Sequence, residues 1–383
     1  MDLKAEFVAR LKRGERMAEL CREFGINRQT GYEVLRRFEA NGIEGLLPRS
    51  RAPMRIPHKT CEDLAEALVR ARKAHPTWGP KKLKAVLEAR LERKMPAVST
   101  ILGILKRRGL VEGRRRRPKV PPHSRPLREA RSPNEVWCVD YKGQFRLGDS
   151  SYCYPLTWTD QYSRYLLGCE AMPAIDQDAA CQASADVFRR HGLPEVIRSD
   201  NGVPFASRGL AALTRLSVFW LRLGIELERI EPGHPEQNGR HERMHRTLKL
   251  ETTRPAGANL LQQQERFDRF LQEYNCDRPH EALGQTPPAK THTPSARPFP
   301  EKLLVPRYLL HDDVLPVFSS GHISFPRGEK YFLALALADQ EVAVREEPDG
   351  RWLVTFMQLD LGVIDRKAKT FTAVPAPALL GSN

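Results

Sequence analysis

The 383-residue sequence predicts a multidomain protein that is all-α in front, α/β in the middle and all-β at its end. Three observations carry this. Up to about residue 112 the apolar positions recur with helical spacing; between 134 and 290 short apolar runs alternate with helical stretches; beyond 300 strand-like runs are separated by turn signals. The length suits two to four domains. The expected divisions are 1–50 and 56–112, both helix-turn-helix, a basic Pro-rich linker at 113–133, an α/β unit at 134–290, and a β unit at 300–383.

In the first unit, MAELCREFGI places Met17, Leu20, Cys21 and Phe24 on one helical face before Gly25 breaks the helix. Asn27 is a natural N-cap for RQTGYEVLRRFEANG, which ends at Gly42. Helix, glycine turn, helix is the helix-turn-helix pattern, whose second helix enters the DNA major groove leading end first. Arg28, Gln29, Thr30 and Tyr32 are then the candidate readers, against the plainer reading of a three-helix bundle that binds protein. The second unit repeats the idea. Its helix CEDLAEALVRARKAHP stops at Pro76, WGPKKLKAVLEARLERK carries Pro80 near its start, and PAVSTILGILKRRGLV leads with Ser99 and Thr100. Arg114, Arg115, Arg116 and Arg117 follow, in an extended tether suited to tracking phosphates, although four arginines alone are usually only solvated charge.

The charge distribution agrees. Residues 1–130 hold 32 Lys and Arg against 15 Asp and Glu, a balance of +17, while the whole chain is +15 and the other 253 residues therefore carry −2. A basic front on a near-neutral remainder is the footprint of a polyanion-binding module, the plainer alternative being a merely soluble basic surface. Seven cysteines without a C-x-x-C pair look like reduced, mostly buried thiols rather than a disulfide set or zinc knuckle. With no run of eighteen apolar residues and no signal-like N-terminus, a soluble protein with no membrane partner is expected.

In the α/β unit, EVWCVDYKGQF, YCYPLTWTD and RYLLGCEAM read as consecutive strands. Helices follow over 178–192 and 207–224, with short strands at 194–202 and 225–230 between and after them. A long helix then starts near 236 and a last one spans 262–276. The end of the chain, with its hairpin at 341–358, suggests a small β-barrel.

Acidic residues single out a site. Asp140 interrupts an apolar strand, where a charge must be paired or hold a metal. Asp200 ends the strand VIRSD before Asn201-Gly202, a sequence that by itself is only a turn. Glu242 lies a turn or so into the helix after Pro235. Two acids at strand ends and one on a helix form an oxygen set suited to hard divalent cations, and two such ions support in-line phosphodiester chemistry.

The stretch HERMH at 241–245 also matches H-E-x-x-H, in which two histidines bind zinc and the glutamate is the general base. A zinc protease needs a third ligand, and His280 and His292 lie in proline-bounded loops without a supporting motif. Arg240, Arg243, Arg246 and Lys249 would surround the ion with cations, and Asp140, Asp200 and the basic front end would be unexplained. The match then reads as an accident of a basic helix.

Asp140, SDNG at 199–202 and PEQNGRHERMHRTLK at 235–249 together resemble the catalytic core of DDE-type transposases of bacterial insertion sequences and of retroviral integrases. The third block of that core reads P-x-x-x-G-x-x-E-x-x-x-x-x-x-K, matched by Pro235, Gly239, Glu242 and Lys249, and YNCDRPHEALGQTPP resembles its tail. The match chooses Glu242 over Glu236, which the turn sequence places at the helix entrance. The resemblance implies an RNase H-like core, a mixed five-stranded sheet with flanking helices. It further implies two Mg²⁺ ions (Mn²⁺ substituting), with Asp140 bridging both and Asp200 and Glu242 each completing one. Lys249 and, more loosely, Arg246 would contact DNA, with Asn238 placed on the same helical face. The implied activity is 3′-end cleavage and strand transfer on double-stranded DNA, at the element's terminal inverted repeats and its target. The protein would act as a homodimer or larger multimer, in the bacterial cytoplasm on the nucleoid. Retroviral integrases carry an N-terminal His/Cys zinc module that this chain lacks, which favours the bacterial type.

Overall fold

A computed structural model describes residues 3–48, 60–111, 127–231, 234–303, 306, 308, 313–326 and 328–374. Arg114 to Arg117 lie outside the described residues. The chain divides into two compact units, 1–61 and 62–383.

The first unit is α1 (Leu3–Lys12), α2 (Met17–Glu23), α3 (Arg28–Asn41) and a 3-10 turn, Gly42–Leu46. Phe7, Val8, Leu20, Cys21, Val34 and Leu46 form its core. Gly25, at φ +64°, makes the turn between α2 and α3. The Asn27 side chain then accepts from the Thr30 N–H at 2.7 Å, capping α3. Asn27→Ala is expected to cost about 1 kcal/mol, read as an earlier urea midpoint of the first unit; an unchanged midpoint would deny the cap its role.

The second unit opens with α4 (Glu62–Ala74), α5 (Pro80–Leu91) and α6 (Val98–Arg107) around Leu68, Trp78, Leu83, Ile101 and Leu105. These helices are fastened to the α/β core by polar contacts. His75 Nδ1 lies 2.8 Å from Glu273 Oε1, and Arg278 Nη1 donates to Glu251 Oε1 at 2.7 Å. Thr77 also donates to Glu251, and Lys81 pairs with Glu281.

The core sheet contains β1 (Val136–Tyr141), β2 (Phe145–Arg146), β3 (Tyr152–Asp160), β4 (Leu166–Met172), β5 (Val196–Ser199) and β6 (Glu226–Arg229). β1 runs antiparallel to β3, and β3 to β4, while β5 is parallel to β1 and β6 to β5. This is the expected mixed five-stranded sheet, with β2 added as a two-residue ladder on the outer end of β3. Alternation along each strand sorts side chains to two faces. Trp137, Val139, Leu156 and Trp158 pack against α7 (Gln177–His191) and α8 (Arg215–Arg222). Cys153, Leu166 and Cys169 face α9 (Gly239–Thr252) and α10 (Leu260–Gln272). By the same parity Asp140, Thr157 and Thr159 point to the α9 side.

Two expectations are corrected. The helix expected over 207–224 is only α8, because Ala211 and Ala212 take left-handed backbone angles of 48° and 53° and Thr214 caps a new start with its side chain on the Ser217 N–H. The barrel expected at the C-terminus is not closed among the described residues. β7 (Asp313–Pro316), β10 (Glu341–Glu346), β11 (Trp352–Phe356), β12 (Leu359–Asp365) and β13 (Thr370–Ala373) form an open antiparallel sheet in the order β13-β12-β11-β10-β7. A separate ribbon of β8 (His322–Ser324) and β9 (Lys330–Phe332) stands beside it. The inner face of Val342, Val344, Val354, Phe356 and Ile364 is covered by Leu213, Val218 and Leu221 of the core, so burial is completed without ring closure.

Cysteines 21, 138, 153 and 169 are buried and all seven are free thiols. Among the described residues no helix is long and apolar enough to cross a membrane.

Candidate active site

Strand β1 is fully buried over Val136–Val139, and burial relaxes at Asp140 and Tyr141 as the strand leaves the middle of the sheet. Asp140 pairs in register with Thr157 of β3. Its carboxyl is pushed up to about 7, first by burial and then by the charges of Asp200 and Glu242, with Lys142 opposing. Asp200 and Glu242 both act on Asp140, although the three acids stand on three elements and span 103 positions from first to last.

Asp200 follows β5, the parallel neighbour of β1. Its Oδ1 accepts from the Gly202 N–H at 3.1 Å, and Asn201 Nδ2 donates to the Ile230 carbonyl at 2.6 Å, tying the turn to the end of β6. A Cβ at position 202 would meet Asp200 Oδ2 at 3.2 Å, so glycine there leaves the carboxylate room. The Asp-Asn-Gly segment is thus a turn that also presents an acid. Glu242 stands in the first turn of α9, with its side chain 46% exposed. Glu236 lies in the preceding 3-10 turn, Pro235–Asn238, where its Oε1 is 2.8 Å from His234 Nδ1.

The inner face of α9 is His241, Met244, His245, Leu248 and Thr252. Thr157 Oγ1 lies 2.9 Å from His241 Nε2 and 2.7 Å from His245 Nε2, and Thr159 Oγ1 lies 2.6 Å from His241 Nδ1. Burial, and next Lys142, lowers His241 to about 3; His245 is held well below 6.5 by burial, His241 and Lys142. Both rings are therefore neutral at pH 7. Asp140, His241 and His245 cluster closely enough for a metal ion, but both nitrogens of His241 are occupied by threonines. His292 stacks on Tyr165 at 4.2 Å and His280 packs edge-on to Tyr274 at 4.8 Å. Neither completes the two-histidine zinc set of HERMH.

The outer face of α9 exposes Glu242, Arg243, Arg246 and Lys249. Asn238 is not on it. It belongs to the 3-10 turn and is buried, because the chain changes winding before α9 begins. Arg28, Gln29, Thr30 and Tyr32 are exposed at the leading end of α3, as are Ser99 and Thr100 on α6. Lys142, Thr157 and His245 were missed from the sequence. Lys142 was within reach, since period-two alternation puts it on the face of Asp140. Thr157 gave no local signal, and His245 stood in HERMH, whose match was set aside with the zinc-protease reading.

Family profiles described as an integrase core domain match residues 130–235 and 223–288. A helix-turn-helix domain matches 3–54 and a homeodomain-like domain 30–105. An uncharacterised 39.2 kDa protein of insertion element IS476 from Xanthomonas euvesicatoria is 27% identical over 291 residues, covering 73% of this chain and 78% of that protein. An uncharacterised 31.7 kDa protein of insertion element IS407 from Burkholderia multivorans is 26% identical over 236 residues, covering 61% and 82%. The Gag-Pol polyprotein of baboon endogenous virus is 32% identical over 125 residues, 32% of this chain but only 7% of the polyprotein.

Proposed function

From an integrase core domain standing behind helix-turn-helix domains, we propose that this chain is a DNA transposase of an insertion sequence. It binds the element's terminal inverted repeats, frees a 3′-OH by hydrolysing a phosphodiester, and joins that hydroxyl to target DNA. The observation that carries the reading is the Asp140 carboxyl, raised first by burial and then by the charges of Asp200 and Glu242. Three carboxylates offer the oxygen ligands that hard divalent cations take. Asp140 would hold two ions in common, Asp200 one and Glu242 the other. Mg²⁺, or Mn²⁺ in its place, supplies charge stabilisation for the attacking and leaving oxygens when bound.

The remaining work falls to the chain's own residues. The α9–β3 contacts fix Asp140 and Glu242 relative to each other. Arg243, Arg246 and Lys249 hold the phosphate backbone along the exposed side of α9. Neither step needs a Ser or Tyr nucleophile, because water and the DNA 3′-OH are the attacking groups. Joining two element ends at one target calls for a dimer or larger multimer on DNA, working in the cytoplasm on the bacterial nucleoid.

The test is a strand-transfer assay with Mg²⁺ or Mn²⁺ on DNA carrying the element's ends. Joined product supports the reading. Cleavage without joining points to a nuclease, and end binding without cleavage to a regulator built from a retired transposase. In the same binding assay, Gln29→Ala is expected to weaken the cognate end by about 1–3 kcal/mol and non-specific DNA much less. Equal losses on both would place Gln29 on phosphate.

A pH dependence follows from Asp140. Between its ordinary value of 3.8 and about 7 the folded protein holds a proton that the unfolded chain has released. Stability contributed by that proton is present at low pH and lost as pH rises through about 7. In EDTA, Asp140→Asn is therefore expected to gain in melting temperature relative to wild type between pH 5 and pH 8. His241 and His245 titrate in the opposite sense but are common to both proteins. Parallel melting profiles would contradict the assignment, as would Mg²⁺ failing to raise the wild-type melting temperature at pH 8.

A further inference from the structure

We propose that His245 is itself a metal ligand, binding through Nδ1 the divalent cation held by Asp140 and Glu242. This rests on the metal-dependent reading above and goes beyond it, since it makes that ion's ligand set mixed nitrogen and oxygen rather than all oxygen.

The first support is the position of the nitrogen. His245 is fully buried, its Nδ1 has no hydrogen-bond partner, and that atom lies 3.7 Å from Asp140 Oδ2 and 4.0 Å from Glu242 Oε1. Two ligand atoms on one first-row ion, each about 2.0–2.2 Å from it, are at most about 4.0–4.4 Å apart. Both separations fall inside that span.

The second support is the count of protons behind the ring. Thr157 Oγ1 donates to the Asp140 carbonyl at 3.1 Å, which uses its single proton. The two imidazole nitrogens near the same oxygen must then be N–H donors: His241 Nε2 and His245 Nε2. Thr159 in turn donates to His241 Nδ1. All four bonds are made only with both rings protonated at Nε2. That leaves His245 Nδ1 as a bare lone pair facing two carboxylate oxygens. Three acceptors that converge beside a fully buried ring repel one another, and a cation between them satisfies all three. A metal-binding imidazole usually gives its other N–H to an orienting acceptor, and Thr157 is that acceptor here.

His241 is excluded by the same count, because it has no free lone pair. The consequence is selectivity. Imidazole nitrogen draws a site toward transition ions and away from Mg²⁺, which prefers oxygen. The ion shared with His245 is therefore expected to be held more tightly as Mn²⁺ or Co²⁺ than as Mg²⁺.

The test is pulsed electron paramagnetic resonance of the untagged full chain with Mn²⁺, alongside calorimetric titration of the metal. The expected result is a ¹⁴N modulation in wild type that changes to the ¹⁵N pattern when the protein is labelled with ¹⁵N-histidine. It disappears in His245→Asn, which binds Mn²⁺ about 10–100-fold more weakly while its Mg²⁺ affinity changes less. The labelled wild type needs no substitution, so a poorly folding variant does not blunt the experiment. Saturable Mn²⁺ binding that is lost in Asp140→Asn, yet shows no histidine modulation, would overturn the ligand assignment and leave the carboxylate site standing. Absence of saturable Mn²⁺ binding, or binding indifferent to Asp140→Asn, would overturn both.

Discussion

Glu242→Gln is expected to lower strand transfer by about three orders of magnitude or more while leaving binding to the element's ends unchanged. The substitution keeps the size of the side chain and removes its charge. Glu242 is largely outside the packed face of α9, which consists of His241, Met244, His245, Leu248 and Thr252, so the fold has little reason to respond. What is lost is an anionic ligand beside the buried carboxyl of Asp140. Metal-derived charge stabilisation is worth several kcal/mol in a phosphodiester transition state, and each 1.36 kcal/mol is about tenfold in rate. Glu236→Gln is the matched control. Its carboxylate pairs with His234 in the turn before α9, whereas the acids that raise Asp140 most are Asp200 and Glu242, so near wild-type transfer is expected. The reverse ranking would mean that Glu236 is the third acid.

The largest expected loss of stability is at Glu228. Arg198 Nε donates to Glu228 Oε2 at 2.6 Å, and the two side chains are 2% and 8% exposed. They stand opposite each other in the β5–β6 register. Glu228 Oε1 also accepts from the Arg128 N–H at 2.9 Å, while Arg198 donates to the Arg128 carbonyl. Glu228→Ala leaves a guanidinium buried without its counter-charge, at a cost of about 3–5 kcal/mol. In a domain of this size that is roughly a 10 °C fall in melting temperature. Joint replacement of Arg198 by Met and Glu228 by Leu should recover much of it, because the desolvation of two charges is removed along with their attraction. A melting temperature for Glu228→Ala within about 2 °C of wild type would show that the pair is solvated. Since β5 delivers Asp200, the single variant should also lose catalytic activity.

Much of this organisation was legible in local chemistry. Asn27 and Gly25 announced the turn before α3, and the apolar runs of β1, β3 and β4 announced three consecutive strands. Asp140 was conspicuous because a charge in VWCVDYK has no reason to be there for stability. Where the reading failed, contacts distant in sequence prevailed. SRGLAALTRLSVFWLRLG has helical spacing, yet only Arg215–Arg222 is α-helix, because Thr214 and Ser217 form a capping box that starts the helix afresh. Asn238 has the right spacing to share a face with Arg246 and Lys249, yet the 3-10 turn rotates it into the interior. The last domain has the strands of a barrel, but its open side is covered by Leu213, Val218 and Leu221, about 100 residues earlier in the chain.

The HERMH segment marks the division most clearly. The sequence by itself determined that two histidines share one face of a basic helix with a glutamate beside them, since that follows from 3.6 residues per turn. It also determined which acids were candidates, since carboxylates in apolar strands and at strand ends stand out against their neighbours. Only the tertiary structure decided what the histidines do. Thr157 and Thr159 lie 82–88 positions away in sequence, and no local pattern links them to α9. Their hydroxyls occupy both nitrogens of His241 and one of His245, leaving a single lone pair aimed at Asp140 and Glu242. Periodicity assigns a side chain to a face, but hydrogen-bond partners and ion geometry depend on which strand is folded against that face.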